Sequence, residues 1–193
     1  MSLPSRTTVL AFGMVVLSLA PARAQDAPLV LEIQGGAVIP FGNLKEGTGV
    51  GEGTSAGPSL AVAFTIPGDG WRTLYAGFSQ HRLGCEAAGC PSDGRYVATG
   101  FNVGIRAVLV QDHRAVPWLR VGAITSKVET GDLGASPASG VSDVGFGGEA
   151  GVGLLVQLGR SLAWTSAANV TLPGGSTLAL RYLTAHTGLS LLF

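Results

Sequence analysis

Apolar residues alternate with small or polar ones along most of this chain. Successive side chains of a strand point to opposite faces, so such a period of two predicts half-buried β-strands. In the last stretch Leu183, Ala185, Thr187, Leu189, Leu191 and Phe193 share one face, opposite Thr184, His186, Gly188 and Ser190. Leu162, Trp164, Ala168, Val170 and Leu172 oppose Ala163, Thr165, Ala167, Asn169 and Thr171. Phe146, Ala150, Val152, Leu154, Val156 and Leu158 oppose Gly147, Glu149, Gly151, Gly153 and Gln157. Leu119, Val121, Ala123 and Thr125 oppose Arg120, Gly122 and Ser126, and Val97, Phe101, Val103, Ile105, Ala107 and Leu109 oppose Gly100, Asn102, Gly104 and Arg106. Leu74, Ala76 and Phe78 oppose Gly77, Ser79 and His81. Leu60, Val62, Phe64 and Ile66 oppose Ala61, Ala63 and Thr65, and Leu31, Ile33, Ala37 and Ile39 oppose Glu32, Gln34, Gly36 and Val38. The pattern predicts eight strands.

Their connections alternate in length. Short turns are expected at 67–70, 111–117 and 159–160, and longer polar, glycine-rich loops at 41–57, 82–94 and 127–142, with a shorter one at 173–177. Short turns on one side and long loops on the other are what membrane-spanning barrels show, with an even strand count leaving both ends on the short-turn side.

Composition points the same way. Only 12% of residues are charged and 30 are glycine, yet beyond residue 24 no apolar run is long enough for a spanning helix. Such a chain can be apolar on average only by spreading its apolar residues periodically, as a barrel does when one face of each strand meets lipid. Before that point Arg6, an apolar run from Val9 to Ala20 and the small-x-small sequence Ala22-Arg23-Ala24 follow the order of a secretory signal. The expectation is a signal peptide over 1–24, cleaved after Ala24, and one barrel domain over 25–193. The run is too short for a membrane anchor, which needs roughly 20 residues. With 12 Lys and Arg against 12 Asp and Glu, the chain offers no basic patch for nucleic acid.

Three segments resemble the outer-membrane β-barrel domain of the OmpA/OmpX type: the opening motif Ile39 to Leu44, the hairpin from Gly145 through Leu158 to Trp164, and the ending Gly188 to Phe193. The resemblance spans about Leu29 to Phe193 and implies an all-β fold, an eight-stranded antiparallel up-and-down transmembrane barrel in the bacterial outer membrane. It also implies that Leu189, Leu191 and Phe193 form the signal that the barrel-assembly machinery reads. With Phe193 ending the sequence, the likeness is to members consisting of the barrel alone. Outer-membrane lipid is then the surrounding medium, and the ligand of the outer loops is open.

Several residues carry possible chemistry. Glu32, Arg106, Arg120 and Glu149 fall on inward faces, where unpaired charge costs several kcal/mol, so they are expected to pair across the lumen or meet water. That set reads either as a plug of ion pairs or as a narrow ion path, and eight strands leave little room for a path. The inward glycines are expected to stand opposite large side chains. Cys85 and Cys90 enclose four residues of an exported loop and are expected to form a disulfide. Trp71, Trp118 and Trp164 lie near the short turns and fit an aromatic girdle at the headgroup boundary. The glycines of 145–153 miss the spacing and βαβ context of a nucleotide loop. A metal site near Cys85 and Cys90 has only His81 to add, and no cofactor is implied.

The function expected is non-enzymatic: a structural or surface-interaction role, with a narrow pore as a further possibility. Two alternatives stand beside it. A lipid-modifying enzyme would use His81 or His186 with a serine such as Ser79 or Ser190, and needs an orienting acid and a bilayer-facing site. A lipocalin-like periplasmic carrier needs an apolar interior and polar exterior, the reverse of the alternation above.

Overall fold

A computed structural model describes residues 29–41, 53–68, 71–86, 95–110, 113–130, 144–173 and 181–193. The expected signal segment, most of the long loops, and Cys90 lie outside the described residues. The strands are β1 (Val30–Pro40), β2 (Thr54–Ser55), β3 (Gly57–Pro67), β4 (Arg72–Cys85), β5 (Arg95–Val108), β6 (Ala115–Thr130), β7 (Gly145–Gln157), β8 (Leu162–Pro173) and β9 (Tyr182–Leu192). The two-residue β2 follows Gly53, which takes a positive φ of 63°, and it extends the pairing of β3 along β4. The other strands are the eight expected.

Every neighbouring pair is antiparallel, and the order closes on itself. β1 pairs with β3 on one side and β9 on the other, and β4 pairs with β5, so no long strand presents an open edge. The strand backbones thereby pair within the wall, the condition for strands to cross a hydrocarbon layer. Phe193 N–H donates to the Leu29 carbonyl at 3.0 Å, joining the two ends of the described chain at the short-turn side.

The inward and outward assignments follow the predicted parity. Glu32, Gln34, Ser59, Thr65, Ser79, His81, Arg106, Arg120, Glu149, Asn169, Thr184, His186 and Ser190 are buried inside, while Ile33, Leu60, Phe64, Leu74, Phe101, Val103, Val121, Phe146, Leu172 and Leu189 are exposed outside. A continuous apolar exterior of this kind far exceeds the patches soluble monomers tolerate. Its reversal of the usual burial rule also excludes the lipocalin-like arrangement.

Two expectations need correction. Trp118 is not on the outer wall: it is 2% exposed and faces the lumen, in phase with Arg120 rather than with Leu119, so it belongs to no aromatic girdle. Trp71 and Trp164 do face outward. The strands also run further toward the loop side than the loops assigned at 82–94 and 127–142 allow, since β4 continues to Cys85 and β6 to Thr130. On the other side β6 already begins at Ala115, shortening the turn assigned at 111–117. Near the loop ends the alternation inverts. Leu83, Tyr96, Val128, Val38 and Tyr182 point inward, whereas Arg82, Arg95, Lys127 and Glu129 point outward. Beyond the apolar belt the exterior no longer requires apolar side chains, and the interior is filled by a hydrophobic cluster instead.

Candidate functional site

The lumen is stacked in layers. Nearest the short turns, Arg106 makes a two-pronged contact with Glu32 on the far wall, Nη1 to Oε1 at 2.5 Å and Nη2 to Oε2 at 2.9 Å. Gln34 adds an amide N–H to Oε2 at 3.0 Å. This paired fork is the geometry that makes arginine–carboxylate bonds strong, and both groups are out of water. The guanidinium also lies 4.2 Å from the centre of the Trp118 ring, close enough for cation–π attraction.

The next layer centres on Glu149. Tyr75 donates its hydroxyl to Oε1 at 2.6 Å, Asn102 its amide to the same oxygen at 2.9 Å, and Arg120 reaches Oε2 at 3.5 Å. The Arg120 guanidinium stands 5.0 Å from the Tyr75 ring and 5.9 Å from that of Trp118. All four charged residues expected in the lumen therefore pair, as Glu32 with Arg106 and Glu149 with Arg120. Sequence reasoning did not name Tyr75, Asn102, Gln34 or Trp118 as their partners, although all four share the inward parity.

Toward the loop side, Ser59 on β3 stands between two histidines, with Oγ 2.7 Å from His81 Nδ1 and 2.6 Å from His186 Nε2. The serine is neither Ser79 nor Ser190, the ones near these histidines in sequence. Among the described residues no carboxylate hydrogen-bonds either ring, and His186 Nδ1 has no partner. The cluster thus lacks the orienting acid of a hydrolytic triad and faces the lumen, not the bilayer. Beside it lies a cavity of about 20 Å³, lined by Gln34, Ser79, His81, Glu149, Thr184 and His186 among others, room for roughly one water.

Above the histidines, Val38, Leu83, Tyr96, Ala98, Val128 and Tyr182 form a cluster whose members are at most 1% exposed. It fills the interior at the loop ends of the strands. Cys85 packs against it, is disulfide-bonded, and accepts the Tyr96 hydroxyl at 3.4 Å through its sulfur.

The glycines explain how so many large side chains fit. Gly153 stands directly across from Trp118, and a Cβ there would run into the indole ring. Gly104 and Gly122 pair with each other, and a Cβ on either would meet the Tyr75 hydroxyl. A Cβ on Gly151 would meet the Asn169 amide oxygen, and one on Gly36 the Ala185 carbonyl. Small residues opposite large ones are the packing solution of a narrow barrel.

No family model matches this chain, and no curated protein matches it. Among solved structures it is similar to Neisserial surface protein A, at a TM-score of 0.59 and 12% identity, covering 86% of this chain and 97% of that one. It is also similar to Ail, the attachment invasion locus protein of Yersinia pestis, at a TM-score of 0.53 and 12% identity, with the same coverage of each. At that identity the likeness speaks for architecture, and the chain has the closed, eight-stranded antiparallel fold of outer-membrane β-barrels.

Proposed function

We propose that this protein is a non-enzymatic, non-conducting outer-membrane barrel that holds its loops at the cell surface. The observation carrying this reading is the combination of an apolar exterior with a lumen filled from end to end. Ion pairs and aromatic rings occupy the lower and middle layers, and an apolar cluster closes the loop side. A continuous ion path requires water or charge along the whole axis, and the cluster of Val38, Leu83, Tyr96, Val128 and Tyr182 provides neither. This favours a plug over a pore for the lumen charges. The His81–Ser59–His186 group, lacking an acid, favours a packing role over hydrolysis. One of the similar structures is named as a surface protein and the other as an attachment protein, which agrees with presentation of loops to the surroundings.

The orientation implied has short turns in the periplasm and long loops outside. A short epitope inserted between Thr130 and Gly145 is expected to be labelled on intact cells. One inserted at Gly159–Arg160 is expected to be labelled only after the outer membrane is permeabilised. The opposite pattern, or labelling of neither site in the membrane fraction, would overturn the reading.

A further inference from the structure

We propose that the outer wall of β4, β5 and β6, near their loop ends, binds the phosphate groups of a glycolipid in the outer leaflet, with Arg82 at the centre of the site and Lys127 and Arg95 beside it. The proposal rests on the membrane orientation argued above.

The wall changes character abruptly there. Phe78 and Phe101 face each other across β4 and β5 with ring centres 5.1 Å apart, and Phe101 stands beside Thr125 of β6. The next outward-facing row is Gln80, Thr99 and Lys127, and the row beyond it is Arg82, Val97 and Glu129, with Arg95 opposite Gly84 one step further. Same-face residues of a strand are roughly 7 Å apart, so a single step replaces aromatic rings with an amide, a hydroxyl and an ammonium. That step is the height at which acyl chains give way to headgroups.

Arg82 is exposed and makes no hydrogen bond or ion pair within the described residues. A guanidinium on the lipid-facing wall at this level needs an anion, and its fork of donors matches phosphate oxygens. Among the described residues Lys127 is held by Glu129 alone, at 2.6 Å with both side chains about half exposed; such a surface pair is weak and exchanges readily for a stronger acceptor. Glu86 also lies outward beyond Gly84. The loop sequences carry Glu46, Glu52, Asp93, Asp132 and Asp143 against Lys45. At this height the wall carries three cations, Arg82, Arg95 and Lys127, beside Glu129 and Glu86. At the opposite end Arg72 stacks 4.6 Å over Trp71, Arg114 donates to the Gln157 carbonyl at 3.2 Å, and Arg160 is exposed in the turn.

The test uses the full chain expressed in bacteria, with the barrel purified from the outer membrane in detergent and titrated by native mass spectrometry. The probes are diphosphoryl lipid A, the same lipid dephosphorylated, and phosphatidylglycerol. Diphosphoryl lipid A is expected to bind at least tenfold more tightly than either comparison lipid. Each basic side chain near a charged membrane surface contributes about a fivefold effect, so Arg82→Gln and Lys127→Gln are each expected to weaken it by about that factor. Arg82→Lys retains part of the affinity, and Arg72→Gln leaves it unchanged. Each variant is first checked for the heat-modifiable band of a folded barrel. Equal binding of all three lipids, or Arg82→Gln binding like the wild type, would overturn the proposal while leaving the membrane reading intact. Equal binding of phosphatidylglycerol and diphosphoryl lipid A would overturn the glycolipid as the source. Absence of a folded barrel from the outer membrane would overturn both readings.

Discussion

Arg106 and Arg120 stand directly opposite each other on β5 and β6, both buried inside the lumen. Like charges in such a cross-strand pair repel, so the pair persists only because each guanidinium is answered from elsewhere. Glu32 reaches Arg106 from β1, Glu149 supports Arg120 from β7, and the Trp118 ring lies close to both cations.

The two ion pairs are unequal. Glu32→Gln leaves Arg106 buried beside Arg120 without its fork partner and is expected to cost about 3–5 kcal/mol in the denaturant unfolding of the refolded barrel. Replacing both partners, Glu32→Met with Arg106→Met, is expected to recover most of that loss. Glu149→Gln should cost distinctly less, because Arg120 sits at 3.5 Å while Tyr75 and Asn102 can still donate to the amide oxygen. Equal losses for Glu32→Gln and Glu149→Gln would show that the fork geometry does not set the energetics.

Glycine packing makes a second, position-specific prediction. A Cβ at Gly35 on the outer wall meets nothing, whereas one at the adjacent Gly36 meets the Ala185 backbone. Gly35→Ala is expected to be neutral within about 0.5 kcal/mol, and Gly36→Ala to destabilise by roughly 1–3 kcal/mol. Unfolding midpoints of the two variants compare them directly.

The apolar cluster under the loops predicts electrical behaviour. In planar bilayers the wild type is expected to give no resolved current steps. The variant Leu83→Ala with Tyr96→Ala is expected to give small ones, because it removes two buried side chains from the seal. Regular steps from the wild type would contradict the closed lumen.

Ser59 is the hinge of the histidine cluster. Ser59→Ala removes the bonds to both His81 and His186 and is expected to lower stability by about 1–3 kcal/mol through unpartnered ring nitrogens, with no change in the lipid composition of the host membrane. A change in lipid A structure that depends on Ser59 would instead establish an enzyme.

The period of two was sufficient to place the strands and to sort lumen from exterior, since in the apolar belt one face must be apolar and the other must fit a narrow interior. At Trp118 the period is right, since parity with Arg120 puts the ring in the lumen, and it is nearness to a turn that misleads. The period fell short at Leu83, Tyr96 and Val128, where apolar residues turn inward once the belt ends and the wall outside becomes charged. The pairing of Glu32 with Arg106 joins distant strands across the lumen, while Ser59 meets His81 as its direct partner on β4 and His186 across Gly36 of β1. Such contacts depend on barrel closure and stagger, which no local pattern specifies. Glycine positions were legible as small lumen residues, but their partners, Trp118 at Gly153 and Tyr75 at Gly104 and Gly122, required the register.

The most direct test of the account is the mobility of the protein on a denaturing gel with and without boiling, taken from fractionated membranes of cells expressing the full chain. A closed barrel is expected in the outer-membrane fraction, running faster unboiled than boiled because the wall stays shut in detergent. A protein in the soluble fraction, with one mobility under both conditions, would contradict the membrane barrel and everything built upon it.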